Sequence, residues 1–527
     1  MRTKLRLGMV PSVLALVISC AAVPSWAEQR TATQILQETC IACHAEVEDG
    51  QFSRISAQRK TPEGWLMTLA RMQVTHGVEL NNDDRRTLVK YLSDNQGLAP
   101  SEAQDSRYAI ERRLNTIEDY QTEELGEMCA RCHSGARFAL QRRPEQEWKH
   151  LIHFHLGQWH SLEYQSFSRD RDWFDIAINK TAGELTSRFP YESKEWEQWQ
   201  SDKPEAASLV GTWSFSGHYT GEGEVRGRME VSAKANDQFD VKLDGYYADG
   251  RPFSGSGTAV LYNGYEWRAN IKVGEHTMRQ VFSAVNGEMQ GRMFERDYDE
   301  RGLDFNAAQA GKTRILAIQP GYLKRGTEAT LTVIGTDIKA APDFGPGVEV
   351  LKVESKSAEH VTVKVKVSKD AELGVRSAQL NGVSGGQLAL YQSIESIKVL
   401  PDYSIARVGG NGGTTEKVQG RFDAEAWALE ADGKTPYRVG IVPASWSVAA
   451  FDEKSLATDD ARFAGKMQAE TGIFTPGDAG PNPERKMNAS NVGNLKVIAK
   501  VEDSGRQLQG EGHMIVTVQR WSVPPIP

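Results

Sequence analysis

Two pentapeptides of this 527-residue chain carry one chemistry: Cys40-Ile41-Ala42-Cys43-His44 and Cys129-Ala130-Arg131-Cys132-His133. Each sets two thiols around a two-residue spacer and puts an imidazole directly after the second thiol. This pattern suits covalent attachment of c-type haem. The thiols add to two vinyl groups as thioethers, and the adjacent imidazole comes under the iron as its proximal ligand. A thioredoxin-like dithiol or a zinc site also uses paired cysteines. A redox dithiol does not require a His after the second Cys in both copies. A four-Cys zinc site would leave both His residues unexplained. Cys40, Cys43, Cys129 and Cys132 are therefore read as haem attachment points, and His44 and His133 as proximal iron ligands. The fifth cysteine, Cys20, lies in the leader, so no thiol is left for a structural disulfide.

The leader starts with Arg2, Lys4 and Arg6 and runs through a mostly apolar stretch from Leu7 to Ser19. Ser25-Trp26-Ala27 offers small residues for a cut before Glu28, the pattern of a signal peptide. Val17-Ile18-Ser19-Cys20 also resembles a lipobox, which would leave Cys20 lipidated. Either route delivers the chain outside the cytoplasmic membrane, most simply to the periplasm. No later segment reaches ~18 unbroken apolar residues, so no transmembrane span is expected. Removing residues 1–27, which hold three basic and no acidic residues, takes the formal charge from −8 to −11. An acidic surface argues against nucleic acid as partner and suits docking to another redox protein.

The elements that must position the motifs change along the chain. Seven of the 11 His residues fall between His44 and His160, where helical patterning and Trp also concentrate. After Ser201-Asp202-Lys203-Pro204-Glu205 the pattern turns to alternating apolar residues with frequent turn signals. The expected fold is multidomain: an N-terminal α-helical dihaem cytochrome c domain over 28–200, then three mainly antiparallel β domains. Residues 205–310 read as a barrel, with strands such as Thr212–His218, Glu224–Ser232, Gln238–Leu243, Gly255–Leu261, Glu266–Val273 and Gln280–Ala284. Turns at Asp249-Gly250, Asn263-Gly264 and Asn286-Gly287 would join them. A filled barrel serving as scaffold is preferred to one with a ligand in its mouth. Residues 311–395 and 396–527 read as two immunoglobulin-like sandwiches. The second has glycine-rich turns at 409–413 and 475–483. His218, His276, His360 and His513 are isolated there and read as structural.

The haem region reads as a duplication. Pro62-Glu63-Gly64-Trp65 and Pro144-Glu145-Gln146-Glu147-Trp148 each start an amphipathic helix, since proline is preorganised for a first helical position. With the tryptophans aligned, Trp65, Leu69, Met72 and His76 match Trp148, Ile152, His155 and Trp159 at i, i+4, i+7 and i+11. A low-spin cytochrome c needs a second axial ligand, commonly Met or His. The equivalent positions propose His44/Met72 for the first haem and His133/His155 for the second. Met67 and His76 compete in the first copy, and His150, His153 and His160 in the second. A Met on an apolar helical face also serves as ordinary core filler. A thioether ligand raises the potential relative to imidazole, so electrons would run from the bis-His haem to the Met-ligated one.

A signal peptide, a dihaem cytochrome domain and three consecutive β domains together resemble the alpha subunit of quinohemoprotein amine dehydrogenase. Stretches such as Glu38-Thr39-Cys40-Ile41-Ala42-Cys43-His44 and Trp148-Lys149-His150-Leu151-Ile152-His153-Phe154-His155 carry that resemblance, which spans essentially the whole chain. It implies a heterotrimer. A small gamma subunit would carry cysteine tryptophylquinone and intrachain thioether crosslinks, and a beta subunit would be a seven-bladed propeller. Primary amines would be oxidised at the quinone to aldehyde and ammonia. The two covalently bound haem c groups would pass the electrons to a soluble acceptor such as azurin or a cytochrome c. No catalytic residue is then expected in this chain, and the β domains would grip the other subunits. A dihaem peroxidase-like enzyme and a stand-alone dihaem carrier with β binding domains are the alternatives. A five-coordinate haem would mark the first, and purification without a quinone-bearing partner the second.

Overall fold

The computed structural model describes residues 30–519 apart from 49, 105, 107–121, 166–167 and 412–414. The leader, Cys20 and the Gly412-Gly413 end of the glycine-rich turn lie outside these residues. Among the described residues no helix is long and apolar enough to cross a membrane.

The N-terminal region holds two helical units, each beginning with the same device. Thr31 caps the turn Ala32–Ile35 and Thr122 caps Glu123–Leu125 through their hydroxyls. Each turn runs directly into a π-helical turn, Leu36–Cys40 and Gly126–Ala130, that delivers the first cysteine of the motif. Single π turns recur at functional sites because the wider turn re-aims a side chain. The helices α1 (Pro62–His76), α2 (Asn82–Asn95) and α3 (Glu145–Gln158) pack behind the motifs. Helix α1 is capped by the Thr61 hydroxyl, has Pro62 in its first turn and ends at Gly77 in the left-handed region. In α3 the proline sits one position earlier, at the cap itself. This offset explains the one-residue difference in Pro-to-Trp spacing: aligned on tryptophan, Pro144 corresponds to Thr61.

The two units meet through a short antiparallel pair, β1 (Arg59–Lys60) and β2 (Gln141–Arg142), in which Arg59 faces Arg142. Both guanidiniums converge on Glu102. Arg59 binds it bidentately at 2.8 and 3.0 Å, and Arg142 Nε reaches it at 3.3 Å. Burial pushes the Glu102 carboxyl up, but the bonds from Arg59 and the charge of Arg142 outweigh it and hold it below the usual carboxylate range. Trp196, on α4 (Lys194–Asp202), stacks over Arg59 at 4.8 Å.

Eight antiparallel strands then close a barrel: β3 (Gly211–Tyr219), β4 (Gly223–Ala233), β5 (Gln238–Tyr247), β6 (Pro252–Tyr262), β7 (Glu266–Val273), β8 (His276–Val285), β9 (Glu288–Glu295) and β10 (Tyr298–Gln309). Sequence neighbours pair throughout and β10 returns to β3, so the order is up-and-down and no strand edge is left open. Strand β5 alternates exposed and buried residues along nearly its whole length. The interior is packed with Trp213, Phe215, Phe239, Trp267, Phe282 and Phe305, so the barrel is filled. Asn263 and Gly264 both have positive φ (51° and 73°), as the two central residues of a type I′ turn require.

That hairpin enters the helical domain. Asn263 donates from Nδ2 to the Leu98 carbonyl at 2.6 Å and from its backbone N–H to Asp94 at 2.7 Å, and its carbonyl accepts from Trp199 at 3.0 Å. Gly97 makes room for it: a Cβ there would lie 2.7 Å from Asn263 Nδ2 and 2.4 Å from the Ser93 carbonyl oxygen. Beside it, Arg268 on β7 pairs with Glu63 of α1 at 2.5 and 3.1 Å.

The third domain faces a four-stranded sheet (Arg314–Gln319, Glu328–Thr336, His360–Val367, Val348–Lys356) against a three-stranded one (Tyr322–Lys324, Val383–Tyr391, Gly374–Leu380). The fourth is built from two three-stranded sheets and a four-stranded one, with a separate core around Phe422, Trp446 and Phe474. Both reach the barrel near His218. Gln319 donates to Ser216 and Glu224, and His218 Nδ1 lies 3.2 Å from Glu224. His218 Nε2 lies 3.0 Å from Asp423 of the fourth domain, off good hydrogen-bond alignment, so this contact is chiefly ionic.

Two outcomes follow from these junctions. Replacing Arg268 by Met takes from Glu63 its bidentate guanidinium partner and from the fully buried Glu266 a second contact, a loss of about 3–5 kcal/mol. Denaturant unfolding measures it, and a loss under about 1 kcal/mol would show that this ion pair does not hold the domains. His218 gives a pH signature. Burial opposes its charging, but Asp423 and Glu224 raise it to about 10 from 6.5. The folded state therefore keeps a proton that the unfolded chain releases, so the stabilisation is complete below about pH 6.5 and is lost as pH rises through about 10. His218→Gln should cost about 2 kcal/mol at pH 6, with the difference fading towards pH 10 in parallel thermal melts. A flat difference across that range would remove His218 as the titrating group.

Candidate functional site

The second unit shows the fuller site. Helix α3 buries Trp148 and Ile152 against Leu125, Phe138 and Leu185, and this fixes the rotation of the helix. The same rotation carries His155 round to face His133. The two ring centroids are 6.4 Å apart. A metal between two imidazoles needs about 2 Å to each ligating nitrogen and roughly 1 Å more to each ring centre, about 6 Å in all. The separation therefore fits one iron between the rings.

Each ring is held by its other nitrogen. His133 Nδ1 lies 2.9 Å from the Ser134 carbonyl oxygen, and His155 Nδ1 lies 2.7 Å from that of Leu151. An Nδ1–H donated to a carbonyl leaves the Nε2 lone pair for a metal, the usual outer-shell arrangement of ligating histidines. Burial pushes His155 down to about 4, so it is neutral at pH 7 and its lone pair is free. Trp173, which packs 6.0 Å from His155, is tied by its indole N–H to the Met128 carbonyl at 2.8 Å.

His44 repeats the arrangement: its Nδ1 lies 2.9 Å from the Ser53 carbonyl oxygen. Behind it Trp65 and Leu69 of α1 join Leu36, Phe52, Leu88 and Leu92 in a core that Cys40 packs against. Met72 lies half-buried on α1, two turns beyond Trp65 on the same face, and His76 is exposed at the end of the helix. No hydrogen bond joins the Met72 and His44 side chains. Met67 instead lines the cavity of the second unit. Of the other histidines on α3, His150 is engaged by Glu147 and Gln146, and His153 is exposed against Phe174. His160 is exposed beyond the helix.

A cavity of about 1230 Å³ runs past Cys129, Cys132, His133, His155 and Trp173, and reaches the outer wall of the barrel at Arg279 and Phe294. Of the motif cysteines, Cys43 and Cys132 are exposed and Cys40 and Cys129 are half-buried. Burial pushes the Cys129 thiol up to about 12, with Glu124 and Glu184 adding to the rise. The donor set fits haem: two thiols three positions apart in the chain, one imidazole beside them and a second opposite. Sequence reasoning missed Trp173, Arg59 and Glu102, and the only signal for any of them was an abundance of tryptophan and arginine in this region.

Comparison with known proteins agrees. Residues 30–196 match the family profile described as quinohemoprotein amine dehydrogenase A, alpha subunit, haem binding. Residues 206–310, 312–392 and 397–526 match alpha-subunit domains II, III and IV of the same enzyme. No curated protein matches. Among solved structures, a de novo designed fluorescence-activating β barrel is 22% identical, over 20% of this chain and 98% of its own, with a TM-score of 0.18. A redesigned β barrel is 21% identical, over 19% and 90%, with a TM-score of 0.17. Drosophila N-cadherin EC1-4 is 9% identical, over 60% and 69%, with a TM-score of 0.20. At these scores the structural likenesses carry no argument. The four profile matches cover nearly the whole chain in consecutive order, and the chain belongs to the quinohemoprotein amine dehydrogenase alpha-subunit family.

Proposed function

We propose that this chain is the electron-transfer subunit of a periplasmic amine dehydrogenase complex. In this reading Cys40/Cys43 and Cys129/Cys132 attach two c-type haems, with His44 and His133 as proximal ligands. His155 is the distal ligand of the second haem and Met72 that of the first. The observation that carries the reading is the facing pair His133 and His155, 6.4 Å apart, with both Nδ1 atoms beside carbonyl oxygens. Haem supplies a one-electron couple when bound. The chain's own part is to fix the tautomer of each imidazole, to exclude water with Trp148, Ile152 and Trp173, and to hold the two units at one distance through Arg59, Glu102 and Arg142. Oxidation of a primary amine to aldehyde and ammonia is assigned to a cysteine tryptophylquinone on a small gamma subunit, with a β-propeller beta subunit completing the complex. Electrons leave for a soluble acceptor such as azurin or a cytochrome c. An imidazole on each side, from His133 and His155, would leave a bound iron no position open to peroxide.

Native purification from the source organism tests the complex. Denaturing mass spectrometry should find two haems on this chain and a small crosslinked partner, and added primary amine should reduce the haem spectrum. Two haems on a lone chain that ignores amines would remove the dehydrogenase reading. Two substitutions test the ligands. Met72→Ala should lower one haem potential sharply while both haems stay attached; an unchanged pair of potentials excludes Met72. His155→Ala should convert the other haem to a high-spin or water-ligated spectrum, and a bis-imidazole signature that persists would exclude His155.

A further inference from the structure

Two cations of the first unit face the cavity of the second. Lys60, on β1, is 2% exposed, and its ammonium donates to Thr68 Oγ1 at 2.6 Å. Arg71, on α1, donates to the same hydroxyl oxygen at 3.3 Å. Both line the cavity that holds Cys129, Cys132, His133 and His155. Their remaining neighbours are aromatic: the Trp65 ring lies 5.1 Å from Lys60, and the Phe154 ring 5.8 Å from Arg71. None of these partners is an anion. Glu147, whose charge reaches Lys60, is already engaged by Arg54, Arg143 and His150. Two like charges sharing one neutral acceptor, with the ammonium fully buried and the guanidinium half-buried, are costly unless an anion joins them.

The duplication shows that this is a departure from the pattern of the second unit. Aligned on tryptophan, Lys60 corresponds to Arg143, and each cation lies over the equivalent indole. In the second unit the cation has its own carboxylate, Glu147, one helical turn on. In the first unit Gly64 stands at that position, and Arg71 adds a second positive charge where the second unit has Phe154. The first unit has lost its internal anion and gained a cation, and both of its charges point into the neighbouring cavity.

We propose that Lys60 and Arg71 hold a propionate carboxylate of the haem ligated by His133 and His155, so that the first haem unit supplies counter-charge to the second. The proposal rests on the haem reading above. Haem brings two carboxylates into this same cavity on a covalently fixed plate, and a guanidinium with an ammonium beside it matches a carboxylate. Positive charge close to this haem favours its ferrous state, so the pair lifts the lower of the two potentials. It also ties that potential to α1, the helix that carries Met72.

The test is a spectroscopic redox titration of the haem-loaded protein as wild type, Lys60→Gln, Arg71→Gln and Arg71→Lys, with low-frequency resonance Raman bands of the propionates recorded on the same samples. In each Gln variant the reduced-to-oxidised ratio of the bis-imidazole haem at fixed applied potential should fall about tenfold, a shift of about 59 mV. The propionate bending bands should move with it, the other haem should move less, and Arg71→Lys should retain most of the wild-type potential. Arg71 is only half-buried, so Arg71→Gln carries the test alone where Lys60→Gln does not fold. Unchanged bands and potentials in Arg71→Gln protein that carries two covalent haems overturn the propionate assignment alone. So does a shift confined to the other haem. A wild type without two covalent haems and a bis-imidazole signature overturns the haem reading itself, and the assignment falls with it.

Discussion

One carboxylate, Glu102, holds the two helical units together. Arg59 and Arg142 occupy equivalent places in the duplicated sequence and sit opposite each other across β1 and β2. Pairing equivalent residues in antiparallel sense creates a local two-fold relation between the units. It also brings two guanidiniums together in the interior, an arrangement that stands only with an anion between them. Glu102 is that anion, and it is itself fixed by accepting the Ala99 backbone N–H at 2.8 Å. This contact is one of those that fix the two Cys-x-x-Cys-His units against each other. It also sets the direction in which Lys60, the next residue along, must point.

The parts of the molecule that were legible in its sequence are those whose physics is local. The Cys-x-x-Cys-His pattern from which haem attachment is proposed occupies five consecutive residues. The rotation of α3 is written in the spacing of Trp148, Ile152 and His155, because an apolar face at helical period fixes what the rest of the helix presents. The barrel is legible in the alternation of β5 and in the Asn-Gly pairs, where local backbone chemistry selects the hairpin. Strands β9 and β10 were harder to see. Strand β9 ends in three consecutive buried residues, Met293, Phe294 and Glu295, because the outer wall of the barrel faces the cavity there instead of water. Alternation fails where both faces of a strand are covered.

What the sequence hid is non-local. Arg59 and Glu102 are 43 positions apart, and Asn263 lies 165 positions from its partner Leu98. No periodicity links such residues. Trp173 and Lys60 were invisible for the same reason: each matters through an element that the fold brings to it. His218 shows the converse. An isolated histidine in a β region reads as structural, and it is, but its two carboxylate neighbours come from the barrel and from a domain some 200 residues downstream.

The seating of the Asn263-Gly264 hairpin has a consequence for the order in which the protein is made. The N-terminal module is finished by a residue that belongs to the barrel, and the tip is presented to Leu98 and Gly97 only once β6 and β7 have paired. Before that moment Asp94, Leu98 and the indole of Trp199 lack their partner, and the module stands open on that side. The helical module is therefore completed from outside itself, and its packing on that side depends on the barrel having folded against it.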